Sequence, residues 1–248
     1  MCHAKLLGGG FDLSAPSAYQ VERGAVLVQP PRVKICCIAS LAEARLALDL
    51  GASALGLVSA MPSGPGVIGD ALIAAIAAEV PPPTATFLLT ARQDAASILV
   101  QHAMCLTTTI QLVDRVAEAE LRLLKLALPH VQLVQVVHVV DDGAVAEALA
   151  LAPLVDALLL DSGNPALAVK ELGGTGRTHD WRLSRRIRDR VACPVYLAGG
   201  LTPANVGAAI EAVQPFGLDL CSGVRTGGRL DPAKLQAFFD AVAGRPAG

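Results

Sequence analysis

The 248-residue sequence predicts a single (β/α)8 barrel, and three observations support that fold class. The length is typical of one such domain. Apolar, strand-like runs alternate eight times with Ala/Leu-rich helical runs, and no series of hairpins interrupts them. Several strand-like runs end in a polar residue or a glycine turn, as expected where barrel strands reach the active-site face.

The alternation can be placed element by element. Strands are expected near residues 33–37, 54–59, 85–90, 107–113, 132–139, 155–161, 194–198 and 218–222. Helices are expected near residues 40–50, 69–79, 92–104, 115–128, 142–152, 181–191, 203–213 and 231–243. Ser40, Thr202-Pro203 and Asp231-Pro232 are helix-start signals, since hydroxyl and carboxylate side chains cap helices and proline suits the first turn. An open flavodoxin-like or Rossmann sheet is the alternative, but it usually has five or six strands.

Composition restricts the class of protein. Hydrophobic residues make up 53% and charged residues 17%, so the chain can bury a large core. The net charge of −2 and the 3% aromatic content argue against a nucleic-acid partner. No apolar run reaches the roughly 18 residues of a membrane span, and the start lacks a signal-peptide core.

The six cysteines form no CxxC pair, which favours a reduced, cytoplasmic chain over a disulfide framework. The five histidines have no metal-ligand spacing, so a metal site is not expected.

Residues 1–32 fit no βα unit and are expected to form an N-terminal extension, with the barrel spanning 33–244. The extension could be partly disordered, or it could contribute a short strand or a plug under the barrel through residues 25–28.

Side chains alternate along the first strand, VKICC. Lys34 and Cys36 share one face, which we expect to be the barrel interior, and Ile35 and Cys37 share the face toward the helices. A cysteine thiolate at the barrel mouth can act as a general base, so Cys36 is a catalytic candidate. A buried structural cysteine is the alternative, and it suits Cys37.

Asp161 ends the apolar run VDALLLD and is predicted to face inward, as Ala157 and Leu159 do. Packing does not explain a carboxylate there, so we interpret it as catalytic, with a loop cap as the alternative. Gln111 and Asp219 are candidate substrate contacts, or else core polar residues satisfied within the fold.

Two glycine turns follow the last two strands. Gly199 and Gly200 come after the seventh strand, and Ser222 and Gly223 come after the eighth. Loops in these positions build the usual barrel phosphate site from backbone N–H groups, so we expect phosphate there. The run GGTG at 173–176 is interpreted as a mobile lid or a phosphate-proximal loop.

Several segments together resemble the phosphoribosylanthranilate isomerase family, a barrel enzyme of tryptophan biosynthesis. The similar segments are VKICCIAS (33–40), LALDLGASALGLV (46–58), LLLDS (158–162), GGTGRTHDW (173–181), YLAGGLTPANV (196–206), GLDLCSGV (217–224) and LDPAKLQAFFDAV (230–242). The resemblance implies a small phosphorylated substrate, no cofactor, and an Amadori rearrangement. It also implies that Cys36 is the general base, that Asp161 is the general acid and that the glycine turns bind phosphate.

The sequence departs from the family pattern at three places. Cys37 stands where the family has glycine, and Val113 stands where it has histidine. The segment MPSGPGV at 61–67 lacks the family's arginine, which implies a weaker grip on an anionic group. Arg92 and Arg225 follow the third and eighth strands and are expected as substitutes.

Three functions remain open at this point: the family isomerase, an isomerase of another phosphoribosyl or sugar-phosphate substrate, and a barrel that only binds. Retention of both Cys36 and Asp161 argues against the third. A monomer or a homodimer is expected.

Overall fold

Eight parallel strands close into a barrel in chain order, with the first strand paired to both the second and the eighth. The structure is a computed structural model that describes residues 30–62, 64–163 and 176–245. The strands are β1 (Arg32–Ile35), β2 (Ala54–Val58), β3 (Ala85–Thr90), β4 (Thr109–Leu112), β5 (Gln132–His138), β6 (Ala157–Asp161), β7 (Val195–Leu197) and β8 (Gly217–Leu220). The predicted fold class is confirmed.

A helix follows each strand and covers the outside of the barrel. The helices are α1 (Leu41–Asp49), α2 (Asp70–Glu79), α3 (Ala95–Cys105), α4 (Glu118–Ala127), α5 (Gly143–Leu151), α6 (Trp181–Arg188), α7 (Val206–Val213) and α8 (Pro232–Val242). A short antiparallel pair, β9 (Arg225–Thr226) and β10 (Arg229–Leu230), lies between β8 and α8. No helix in the described ranges is long and apolar enough to cross a membrane.

Strand alternation divides the core into an interior and an outer layer. Outward residues such as Leu55 and Leu158 pack with the helices in two apolar clusters. Inward residues such as Phe87, Leu159 and Tyr196 fill the barrel in a third cluster. The barrel interior is therefore mostly apolar.

The helix-start signals hold for α1 and α8 but not for α7. Ser40 Oγ accepts the Glu43 N–H at 3.2 Å, and Asp231 accepts the N–H groups of two residues in the first turn of α8. The predicted start of α7 at residue 203 is wrong, because α7 begins at Val206. Asn205 holds the preceding turn out of the helix by accepting the Thr202 N–H and donating to the Gly200 carbonyl.

The N-terminal extension predicted for residues 1–32, including a strand or plug at 25–28, falls outside the described residues up to position 29. The first strand begins at Arg32.

Candidate active site

A cavity that opens to solvent lies at the C-terminal ends of the strands. The predicted site residues that line it are Cys36, Gln111, Asp161, Gly199, Gly200, Asp219 and Ser222. Its apolar wall contains Val58, Met61, Leu89 and Val113. The structure thus brings together groups that are up to 186 positions apart in the chain (36 to 222).

Asp161 is the last residue of β6, and its side chain faces the cavity. Burial raises the pKa of Asp161 to about 6, although the Ser162 N–H donates to its Oδ1 at 2.7 Å and favours the charged form. A carboxyl group with this pKa carries a proton more often near neutral pH than an exposed aspartate, so it suits a general acid.

The raised pKa of Asp161 predicts a pH-dependent stability. The folded value of about 6 exceeds the unfolded value of about 3.9, so the folded state binds more protons between them. The protonated carboxyl group therefore contributes its whole stabilisation below the unfolded pKa. This contribution, about 3 kcal/mol, is lost as pH rises through the folded pKa. In urea unfolding, the free energy of unfolding of Asp161→Asn should rise relative to that of the wild type as pH increases from the unfolded to the folded pKa of Asp161. If the free energies of unfolding of the two proteins changed in parallel with pH, the raised pKa of Asp161 would be contradicted.

Cys36 directly follows β1, and its backbone N–H extends the β1–β8 ladder by donating to the Leu220 carbonyl at 2.8 Å. Its side chain points into the barrel, as predicted. The Cys36 sulfur and the Lys34 ammonium both lie within 3.0 Å of the point that a Cβ on Gly56 would occupy. A cationic group is therefore close to the thiol that we expect to act as the base.

Lys34 is fully buried inside the barrel, and its Nζ lies 2.8 Å from Asp219 Oδ1 and 5.1 Å from the centroid of the Phe87 ring. Burial acts to lower the pKa of Lys34, but the Asp219 carboxylate outweighs it and raises that pKa. The sequence placed Lys34 inside without giving it a role. The structure shows that Lys34 forms an ion pair with Asp219, which lines the cavity.

The prediction that Cys37 faces the helices is wrong. Cys37 has a φ of 62° in the left-handed region, so it leaves the strand alternation and turns toward the cavity. Hydrogen bonds with the Cys221 and Cys36 thiols raise the pKa of Cys37. The resemblance could have indicated this conformation. The family has glycine at this position, and glycine adopts the left-handed region without strain.

Gln111 is 3% exposed, and its Oε1 has no hydrogen-bond partner among the described residues. An unpaired buried amide oxygen is costly, so the alternative of a fully satisfied core residue does not fit the structure. Its place on the cavity wall suits a hydrogen bond with a ligand.

The two glycine turns meet at one side of the cavity. Gly199, Gly200 and Ser222 line it, whereas Gly223 lies behind them and packs so tightly that a Cβ would approach the Leu201 carbonyl oxygen to 2.0 Å. Gly176 also lines this side. The rest of the predicted lid, residues 173–175, falls outside the described residues.

Neither arginine offered as a substitute lines the cavity. Arg225 donates to the Glu43 carboxylate at 2.9 Å and to the Cys37 carbonyl at 2.6 Å, so its guanidinium clamps the loop after β1 instead of facing a substrate. Arg92 is an exposed side chain after β3. Over the described part of the chain, no lysine or arginine lines the cavity, and no group of three or more His, Cys, Asp or Glu is placed to hold a metal ion.

Comparison with known proteins places this geometry in a family. The family model for N-(5'-phosphoribosyl)anthranilate (PRA) isomerase matches residues 33–241. The chain is 34% identical to N-(5'-phosphoribosyl)anthranilate isomerase 2 of Methanosarcina mazei over 209 residues, which is 84% of this chain and 92% of that protein. It is 37% identical to the Halorubrum lacusprofundi isomerase over 216 residues, with 86% and 97% covered.

Solved structures agree with the sequence comparison. The phosphoribosyl anthranilate isomerase of Thermotoga maritima superposes with a TM-score of 0.75 at 29% identity, covering 86% of this chain and 99% of that one. An isomerase solved with reduced 1-(o-carboxyphenylamino)-1-deoxyribulose 5-phosphate superposes with a TM-score of 0.72 at 27% identity and the same coverage. The chain therefore belongs to the N-(5'-phosphoribosyl)anthranilate isomerase family.

Proposed function

We propose that this chain isomerises N-(5'-phosphoribosyl)anthranilate in tryptophan biosynthesis, with Asp161 as general acid and Cys36 as general base. The observation that carries the proposal is the pairing, in one cavity, of a buried carboxyl group of raised pKa with a thiol beside a buried ammonium group. Family membership supports the substrate, since the Methanosarcina mazei and Halorubrum lacusprofundi relatives carry the name of this activity.

The proposed reaction opens the sugar ring before it moves a proton. Asp161 donates its proton to the furanose oxygen, the C1'–O bond breaks, and the nitrogen lone pair forms an iminium. The Cys36 thiolate then removes the C2' proton, and the C–H electrons form a C1'=C2' bond while the iminium electrons return to nitrogen. The enolamine takes up a proton at C1' as its C2' hydroxyl becomes the ketone.

The aromatic ring, the sugar and the phosphate of the substrate each have a matching part of the cavity. The apolar wall, which includes Met61, Leu89 and Val113, suits the aromatic ring. Gln111 offers an unpaired amide oxygen to a hydrogen-bond donor of the substrate, and Asp219 suits orientation of a sugar hydroxyl. We assign phosphate to the side formed by Gly199, Gly200 and Ser222.

Substitution of Gly223 tests the phosphate assignment. Gly223→Ala places a methyl group against the Leu201 carbonyl and forces the two turns apart. Losing one charge-assisted hydrogen bond of about 1.5–3 kcal/mol should raise KM about 10–150-fold. Gly207→Ala is the control, because a Cβ there meets nothing within 4 Å. An unchanged KM in Gly223→Ala would move the phosphate elsewhere.

Substitution of Pro65 tests how the carboxylate is held. Because no cation lines the described cavity, a guanidinium introduced at Pro65 should add a charge-assisted bond and lower KM about 10-fold or more. Gly64 has a φ of 114°, which proline cannot adopt, so the substitution at Pro65 leaves Gly64 unchanged. Pro65→Lys and Pro65→Gln separate charge from side-chain length. A KM that rises in Pro65→Arg would contradict the expectation that a guanidinium at this position binds the substrate carboxylate.

The same lack of a cation favours a second candidate, an isomerase of another phosphoribosyl or sugar-phosphate substrate. Rescue of an isomerase-deficient tryptophan auxotroph decides between them. Growth with the wild-type gene, and none with Cys36→Ala or Asp161→Ala expressed at equal level, supports the first candidate. No growth with the wild-type gene supports the second.

We also propose a cytoplasmic location, because the cysteines at the described positions are free thiols, as is usual in a reducing compartment. The expectation of a monomer or homodimer stays a prediction. The Thermotoga maritima protein is described as dimeric in one solved structure.

A further inference from the structure

The Arg225 guanidinium lies at the junction of three segments: the loop after β1, helix α1 and the β9–β10 hairpin. Its side chain is 8% exposed, and it donates to both carboxylate oxygens of Glu43 in α1, at 2.9 and 3.1 Å. It also donates to the Gly228 carbonyl between β9 and β10 at 2.9 Å. Burying a charge is costly unless the charge is paired and hydrogen-bonded, so these partners fix the position of the guanidinium.

Two further hydrogen bonds join this guanidinium to the backbone on both sides of Cys37. Arg225 Nη2 donates to the Cys37 carbonyl at 2.6 Å and to the Cys36 carbonyl at 3.3 Å. These carbonyls belong to the two planar peptide units that flank Cys37, and φ and ψ describe how such units are rotated relative to each other. The guanidinium that bonds both carbonyls therefore restrains both backbone dihedrals of Cys37.

Cys37 needs this restraint because of its backbone conformation. Its φ of 62° lies in the left-handed region, where a residue with a Cβ atom is strained and glycine is not. Such strain persists only where the surrounding contacts hold the backbone in place. The hydrogen bonds from Arg225 are contacts of this kind.

The conformation of Cys37 also decides where the proposed base points. The Cys36 N–H is held by its hydrogen bond to the Leu220 carbonyl at 2.8 Å, and the Cys36 carbonyl is held by Arg225. Relaxation of Cys37 toward an extended conformation would rotate the peptide unit that it shares with Cys36. The Cys36 thiol would then leave its position against Gly56.

We propose that Arg225 is a positioning residue for the general base, because it holds Cys37 in the left-handed region and thereby keeps the Cys36 thiol aimed into the cavity. Arg225 does not line the cavity, so it acts through these two residues. Its effect on turnover rests on the proposed function, whereas the restraint of the backbone does not. Misplacing a catalytic group by about 1 Å can cost about 10²-fold in rate, so loss of the restraint should act mainly on kcat.

The first test separates positioning from stability. Arg225→Met leaves the Glu43 carboxylate buried without its cation, so a double variant, Arg225→Met with Glu43→Gln, removes both charges and avoids that cost. We expect the double variant to unfold at a higher urea concentration than Arg225→Met. Its kcat should still lie about 10- to 10²-fold below that of the wild type, with KM within a few-fold. Arg229→Met changes an exposed arginine of the same hairpin and is the matched control that should keep the wild-type kcat. A folded double variant with wild-type kcat would overturn the proposal.

The second test uses the strain at Cys37. Glycine adopts the left-handed region without strain, so Cys37→Gly reduces the need for the restraint. In the Cys37→Gly background, adding Arg225→Met with Glu43→Gln should cause a loss of kcat at least about 5-fold smaller than in the wild-type background. A merely structural role of Arg225 predicts the same fold loss in both backgrounds, and that result would refute the positioning role.

Backbone exchange gives a third readout, which does not depend on turnover. The Ile38 N–H donates to the Gly56 carbonyl at 3.0 Å, so it resists exchange while the loop after β1 keeps its conformation. Hydrogen–deuterium exchange at Ile38 should be faster in the double variant than in the wild type, and unchanged in Arg229→Met. Unchanged exchange in the double variant would show that the guanidinium does not restrain the loop. If exchange responds as expected in a protein without isomerase activity, the restraint stands and the proposed function fails.

Discussion

Asp161→Asn and Cys36→Ala should each lower kcat by at least about 10²-fold, the usual scale for a lost general acid or base. Asparagine keeps the size of the Asp161 side chain but cannot donate a carboxylic proton. Alanine removes the Cys36 sulfur, which lies beside Gly56 as the Lys34 ammonium does. Steady-state turnover of phosphoribosylanthranilate by the purified proteins measures both effects.

Stability separates loss of chemistry from loss of fold in these variants. Removing a carboxyl group whose charged form is disfavoured by burial should leave Asp161→Asn at least as stable as the wild type near pH 7. An Asp161→Asn protein that is stable and inactive fits a general acid. An Asp161→Asn protein that is stable and keeps wild-type turnover would remove Asp161 from the reaction.

Lys34→Met should destabilise the fold by about 3–5 kcal/mol, the cost of leaving one member of a buried ion pair without its partner. Lys34 is fully buried and Asp219 is 7% exposed, so solvent compensates only weakly for the ammonium lost beside Asp219. Methionine matches the length of the apolar stem and avoids an empty cavity. The free energy of unfolding in urea measures the effect.

The double variant Lys34→Met with Asp219→Asn is the matched control. It removes the second charge and should recover part of the stability lost in Lys34→Met. A double variant that is as unstable as the sum of the two single variants would show that the ion pair is not the source of the loss.

Much of this fold could be predicted from the sequence because its local and global signals agree. Each of the eight strands and eight helices lies where the apolar runs and the caps indicated, with small shifts at the ends. The start of α7 was missed because Thr202-Pro203 matches a common helix start, while the Asn205 side chain bonds that decide the turn have no sequence signature.

The misses in the site come from contacts between distant segments. Strand alternation placed Lys34 and Asp161 correctly but failed at Cys37, where a left-handed residue ends the alternation. Chain position after β8 suggested that Arg225 faces the substrate, yet the guanidinium bonds Glu43, 182 positions away. No pattern in the sequence around Arg225 predicts an ion pair with so distant a residue.

The most direct test of the acid–base account is the release of tritium from substrate labelled at C2'. The wild-type enzyme should release tritium into water as it forms product, because Cys36 removes the C2' proton. Cys36→Ala should release it at least about 10²-fold more slowly. Product that keeps its tritium, or equal release by the wild type and Cys36→Ala, would contradict the assignment of Cys36 as the base.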